Sequence, residues 1–347
     1  MKLFPTTPIP DFYNPEAVGS YWKVDYAARS GAAGQWAAEH SLKPAARDDF
    51  KLGLLLIDVQ NTFCLPEFEL FVAGRSGRGA VEDNQRLSEF IYRNLGRITR
   101  IAATMDTHLA GQIFHPVFLV DEHGQHPEPY TLVSAEDVRQ GRWKVNPELA
   151  ASLGRSQEAA DRYLQYYTDQ LSQIGKYDLT IWPYHAMLGG IGHALVSAVE
   201  EAIFFHTVAR VSQADFIQKG MQPWTEAYSA IGPEILENPS GTRLAEKNRQ
   251  IINWLQNLDA LAIAGQAKSH CVAWTVADLL KQIQEEAPKL ASRVYLLEDC
   301  TSPVVIPGAV DYTEQADQAF ERFASAGMHV VSAAQPVESW PGIQAAD

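Results

Sequence analysis

Short apolar runs that end in polar, chemically capable residues alternate with amphipathic stretches along this chain of 347 residues. Leu52 to Asp58 (LGLLLID), Ile98 to Asp106 (ITRIAATMD), Leu179 to His185 (LTIWPYH), Ala209 to Gly220, Leu258 to Ala264 and Arg293 to Cys300 each read as a buried strand. Helical periodicity is expected near Ser30 to His40, over 80–98, from Gln157 to Ile174, from Gly192 to Phe205, after Val272 and near Thr313 to Ala326. Strands that alternate with helices imply a parallel sheet with right-handed crossovers. The expected class is therefore α/β: a three-layer α/β/α arrangement around a mostly parallel six-stranded sheet. In such sheets ligands bind beyond the carboxyl ends of the strands, and every chemical candidate below falls at one of those ends.

Bulk properties narrow the function classes. A net charge of −14 argues against nucleic acid or an anionic membrane as a partner. No apolar run approaches the ~20 residues of a membrane span. Three cysteines, Cys64, Cys271 and Cys300, make no disulfide framework, and the start MKLFPTTPIPDF has no apolar leader. A cytoplasmic protein is expected. Residues 1–50 read as an N-terminal extension and 51–335 as one domain with an insertion or lid at about 116–180. Residues 336–347 read as a C-terminal tail.

Cys271 lies in AGQAKSHCV, after a strand and a glycine break and just before an apolar-periodic helix. A helix N-terminus offers N–H groups and partial positive charge, which favour a thiolate. Asp58 ends the first strand and Lys219 the fourth. A carboxylate to take the thiol proton and an ammonium to stabilise the thiolate complete a catalytic set. Each residue also has a plainer reading: the cysteine as a small buried apolar residue, the aspartate as a cap, the lysine as a solvated loop residue.

At these positions the chain resembles the isochorismatase-like cysteine hydrolases, closest in motif to the nicotinamidases. The resemblance runs from about Leu52 to Ala333 and rests on five segments in order: DVQNTFC from Asp58, MDTH from Met105, IWPYHAMLGGIG from Ile181, FIQKGMQPWTEAYSAI from Phe216, and AGQAKSHCV from Ala264. It implies the isochorismatase-like fold. It also implies Asp58 as general base, Lys219 as electrostatic partner and Cys271 as nucleophile. A cis peptide is implied at Gln266–Ala267, with the N–H groups of Ala267 and Cys271 as oxyanion hole. Phe63 and Trp182 take the positions that sandwich a planar ring, although both also suit an ordinary aromatic core. Asp106, His108 and His185 take the positions of the metal ligands, with His115 as a fourth candidate at a longer spacing. One carboxylate and two imidazoles suit a divalent ion, zinc first; His108 and His185 as hydrogen-bonded histidines without metal is the other reading. No organic cofactor is implied.

Three departures from the family pattern bear on specificity. Thr62 stands where an acid is common, Lys268 and Ser269 replace a threonine and an aspartate, and Ala186 replaces a cysteine. Lys268, three residues before the thiol, either favours an anionic substrate or points to solvent. The expected activity is hydrolysis of a small carboxamide to acid and ammonia through a thioester. The alternatives are a vinyl-ether hydrolase of the isochorismatase type and a non-catalytic metabolite-binding member. A small-molecule substrate is the expected partner, with homo-oligomerisation implied by the resemblance alone.

Overall fold

The computed structural model describes residues 6–174, 177–308 and 310–343. The first five residues of the expected extension and the last four of the expected tail therefore lie outside the described residues. The chain divides into two compact units, Met1–Met105 with Ala194–Ile217 and Arg249–Asp347, and Asp106–His193 with Gln218–Asn248.

Six strands form one parallel sheet flanked by helices. They are β1 (Leu52–Ile57), β2 (Ile98–Asp106), β3 (Asp215–Lys219), β4 (Ala260–Gly265), β5 (Val294–Leu297) and β6 (His329–Val331). Their order is β6-β5-β4-β1-β2-β3. All six residues of β1 and of β4 are buried, as continuous apolar runs demand when both faces of a sheet are covered. These two strands pair in register from Leu52–Ala260 to Ile57–Gly265. The order reverses direction at this pair, so the switch point, where open α/β sheets place their ligands, lies at the carboxyl ends of β1 and β4. The main helices are α1 (Tyr26–Glu39), α2 (Gly79–Arg93), α3 (Gln157–Ile174), α4 (Ser197–Arg210), α5 (Ala273–Glu286) and α6 (Thr313–Ser325). Leu54, Leu56, Phe90, Ile91, Val199 and Ala262 belong to the first unit's core, each large side chain contributing roughly 1.5–3 kcal/mol by leaving water.

Within the first unit, residues 6–50 are bonded to α4. Trp22 N donates to Ser197 Oγ at 2.9 Å, Arg29 pairs with Glu201 at 2.7 Å, and Arg210 binds both oxygens of Asp48 at 2.6 Å. The second unit has its own core, in which α3 buries Tyr163, Leu164, Tyr167 and Leu171 beside Phe114, Phe118 and Trp224. Among the described residues, no helix is long and apolar enough to cross a membrane.

The expected α/β class with a six-stranded sheet holds, but the membership of the sheet differs from the sequence pattern. From Leu179 to His185 only Leu179–Thr180 is extended, and it pairs antiparallel with Leu132–Val133 in the second unit. Pro183 has no N–H to give a ladder, and Trp182 N goes to Phe114 O at 2.7 Å. The sixth place belongs to β6, the short His329–Val331 run that follows the last helix. The helix expected from Gly192 starts at Ser197, because the backbone just before it is occupied by pairing. Asn61 N donates to Ala194 O, and Val196 N to Val59 O.

Two stability predictions follow from these contacts. Arg210 is 1% exposed, so Arg210→Met leaves Asp48 half-desolvated without its partner; a loss of about 3 kcal/mol is expected in urea titration. His206, whose Nε2–H donates to Ile98 O at 2.7 Å, and His270 are both pushed down by burial to about 4 from 6.5. A group lowered on folding stabilises fully above its unfolded value and loses that contribution as pH falls. Stability should therefore drop between pH 6.5 and about 4. Asp83, raised by burial to about 6, acts in the opposite sense there, and His115, also lowered by burial to about 4, acts in the same sense as these two histidines. In His206→Gln the slope of stability against pH across this window should be shallower.

Candidate active site and metal centre

The end of β2 begins a cluster of buried ionisable groups in the second unit. Asp106 closes the strand, and His108 lies two residues on. The peptide at Thr107 donates to Lys219 O at 2.9 Å and that at His108 to Ala186 O at 3.0 Å. These bonds bring three separate segments together. Asp106, His108 and His185 each present a ligand atom, and those atoms all lie within 4.8 Å of one another. Asp106 Oδ2 is 2.9 Å from His108 Nε2 and 3.8 Å from His185 Nε2.

The outward nitrogens of both rings are already engaged. His108 Nδ1 faces Gly220 O at 3.3 Å, and His185 Nδ1 faces Pro183 O at 2.8 Å. A carbonyl partner fixes Nδ1 as the protonated nitrogen and leaves the Nε2 lone pair directed inward. Two inward lone pairs beside a carboxylate oxygen repel unless a proton or a cation sits among them. The donor set thus fits a divalent ion. Gly220 makes this packing feasible: its φ is +86°, and a Cβ there would lie 2.7 Å from His108 Cε1 and 2.9 Å from Asp106 Oδ1.

Lys219 ends β3 with its ammonium buried, donating to Asp106 Oδ1 at 2.9 Å and to Ala227 O at 2.9 Å. Asp106 therefore gives one oxygen to the lysine and turns the other to the histidines. Burial pushes its carboxyl up, but the neighbouring His108 and the Lys219 ammonium hold it well below the usual carboxylate range. Burial and the neighbouring His108 push His185 well down. His115 is fully buried. Its Nδ1 lies 3.1 Å from Leu109 O, and its Nε2 has no hydrogen-bond partner among the described residues. Its ring centroid is 5.8 Å from that of His108 and 5.6 Å from that of His185, and it stands outside the tight group of three.

In the first unit, the chain leaves β1 at Asp58 and β4 at Gln266, side by side. Gln266 N donates to Ile57 O at 2.8 Å. Asp58 is fully buried with φ +47°. Thr104 Oγ1 accepts from its N–H at 3.0 Å and donates to its Oδ1 at 2.6 Å. The Gln266–Ala267 peptide is cis. Lys268–Val272 forms a π-helical turn that runs into α5, so Cys271, 8% exposed, sits at the start of a continuous helical segment. Such turns inside helices recur at functional sites. Phe63 is half-buried in the first unit and Trp182 half-buried in the second.

Lys268 departs from both expectations. It is 5% exposed and neither points to solvent nor stands ready for an anionic substrate. Asp317 of α6 binds its ammonium at 2.7 Å and Glu298 at 3.3 Å. Sequence reasoning also missed three residues around these groups. Gln112 donates to Gly220 O, His193 Nε2 lies 3.0 Å from Thr107 Oγ1, and Glu226 Oε1 accepts from Trp182 Nε1 at 2.9 Å. His193 lies one residue past the IWPYHAMLGGIG segment, and Glu226 sits inside the FIQKGMQPWTEAYSAI segment.

No protein-family model matches the chain, and no curated protein matches it. Solved structures do. The yeast nicotinamidase Pnc1p bound to the inhibitor nicotinaldehyde is 19% identical over 81% of this chain and 99% of its own, with a TM-score of 0.50. A nicotinamidase and pyrazinamidase of Acinetobacter baumanii is 17% identical over 81% and 96%, with a TM-score of 0.47. At that identity the likeness to the yeast enzyme shows a shared fold, and the chain has the isochorismatase-like α/β fold of the nicotinamidases.

The donor set makes a concrete prediction. Zinc titrated into the metal-free full chain should bind one equivalent and raise the melting temperature. His185→Ala should abolish that rise, and Gly220→Ala, whose methyl displaces His108, should weaken binding by about tenfold or more.

Proposed function

We propose that this protein is a cysteine-dependent hydrolase of a small carboxamide, with Cys271 as nucleophile, Asp58 as general base and Lys219 as electrostatic partner. One observation carries the reading. Asp58 and the Cys271 turn leave adjacent, register-paired strands at the sheet's switch point, where this class of sheet does its chemistry. The buried Asp106, His108 and His185 group at the end of β2 supports it. The likeness to a nicotinamidase makes nicotinamide the first amide to test.

Asp58 takes the thiol proton, and the thiolate of Cys271 attacks the amide carbonyl. The N–H groups of Ala267 and Cys271 receive the developing oxyanion, each such donor being worth roughly 3 kcal/mol. As the C–N bond breaks, Asp58 returns the proton to the nitrogen and ammonia leaves. Asp58 then takes a proton from water, whose oxygen attacks the thioester. The acid departs and the proton returns to the thiol. Phe63 and Trp182 hold the planar part of the substrate. Asp106, His108 and His185, with His115 behind them, would hold a divalent ion, zinc first, which supplies a Lewis-acidic position for a ring nitrogen or a water.

The test is ammonia release from nicotinamide and a panel of small amides. Wild type is expected to be active and to lose activity with a strong chelator. Cys271→Ala and Asp58→Asn should each fall by about a thousandfold or more. A wild type that releases no ammonia from any amide, with zinc present, sinks the amidase reading. A Cys271 that also resists alkylation at neutral pH would indicate a non-catalytic member of the fold.

A further inference from the structure

Side chains that the reaction above does not use hold the turn carrying Cys271. Asp83 lies on α2 and is 2% exposed. Its Oδ2 accepts from Gln266 Nε2 at 2.8 Å, and its Oδ1 accepts from Arg86 at 2.9 Å. The other end of the same amide, Gln266 Oε1, accepts from Ser302 N at 3.3 Å. Ser302 O in turn accepts from Lys268 N at 2.8 Å. The bonds form a chain from Asp83 through Gln266 and Ser302 to Lys268, and the two ends of that chain on the turn are the residues on either side of Ala267. A second observation shows how closely α2 is set against this arrangement. A Cβ on Gly79 would lie 2.6 Å from Ser302 Oγ and 2.8 Å from Ser302 Cβ.

We propose that Asp83 is a positioning residue for the hydrolysis, acting through Gln266 and Ser302 to fix the direction of the Ala267 N–H at the oxyanion site. It rests on the reading given under Proposed function. The logic is one of donor polarity. An ionised carboxylate only accepts, so it admits one orientation of the Gln266 amide, NH2 toward Asp83 and oxygen toward Ser302 N. With both ends of that amide assigned, Gln266 cannot rotate and the peptide that follows it is held. An asparagine at 83 has one acceptor where the carboxylate has two, so either Arg86 or the Gln266 NH2 loses its acceptor, and in the second case the Gln266 amide is held at its Ser302 end alone. An oxyanion donor acts on the transition state rather than on the bound amide, so its misdirection should appear in kcat rather than in KM.

The experiment uses the full chain and an amide that wild type hydrolyses. Asp83→Asn should lower kcat by about tenfold or more with KM within about twofold, while the rate of Cys271 alkylation by iodoacetamide stays unchanged. The double variant Asp83→Asn with Gln266→Glu exchanges donor and acceptor across the same contact and should recover most of the lost kcat. Gly79→Ala, which pushes on Ser302 from the other side, should show the same kcat loss and serves if Asp83→Asn does not fold. Unchanged kcat in Asp83→Asn and in Gly79→Ala overturns the proposal while leaving the amidase reading intact. A parallel fall in alkylation rate also overturns it, since the turn as a whole would then have loosened. A wild type inactive on every amide overturns the amidase reading and this inference with it.

Discussion

The parallel pairing of β1 with β4 is the constraint from which the rest follows. Six consecutive residues of each strand are buried and register-matched, so the point at which each chain leaves the sheet is fixed to within one residue. A slip of one position would turn every side chain to the opposite face. Asp58 and Gln266 are the first residues beyond that ladder, tied by the bond from Gln266 N to Ile57 O. Their neighbours inherit placement from the sheet rather than from loop conformation, which is how a scaffold holds reacting groups to tight tolerances.

The electrostatics of the second unit rest on a division of labour within one carboxylate. Asp106 Oδ1 faces an ammonium and Oδ2 faces two imidazoles. A buried carboxylate alone is costly, and here the Lys219 ammonium at 2.9 Å compensates it. Ala227 O, the second acceptor for Lys219, belongs to a tripeptide whose flanking residues also reach Trp182. Glu226 lies 2.9 Å and Tyr228 3.3 Å from its indole nitrogen. The lysine and the tryptophan are thus steadied by one short segment.

Much of this was legible from the chain, for identifiable reasons. Strands buried on both faces leave uninterrupted apolar runs, so β1, β4 and β5 stand out, and helix α3 shows its full period from Gln157 to Ile174. Asp106, His108 and His185 are recognisable by residue type and by sitting at segment ends, and the structure brings them together. What stayed hidden depends on partners far apart in sequence. Lys268 reads as solvated until Asp317 and Glu298 are found beside it. LTIWPYH reads as a central strand until Pro183 and the bond from Trp182 to Phe114 place it in the second unit. The ion pair of Lys219 with Asp106 spans 113 positions, and no local pattern encodes it.

The three thiols differ in a way that turns the chain into its own counting device. Cys64 and Cys300 are wholly buried, and burial pushes both well above the ordinary thiol range. Neither will compete for an electrophile in the folded state at neutral pH. Cys271 lies in a helical turn and retains some exposure. Folded chains that take label at Cys271 alone would therefore differ from unfolded chains, which expose all three thiols, with no cysteine needing to be removed first.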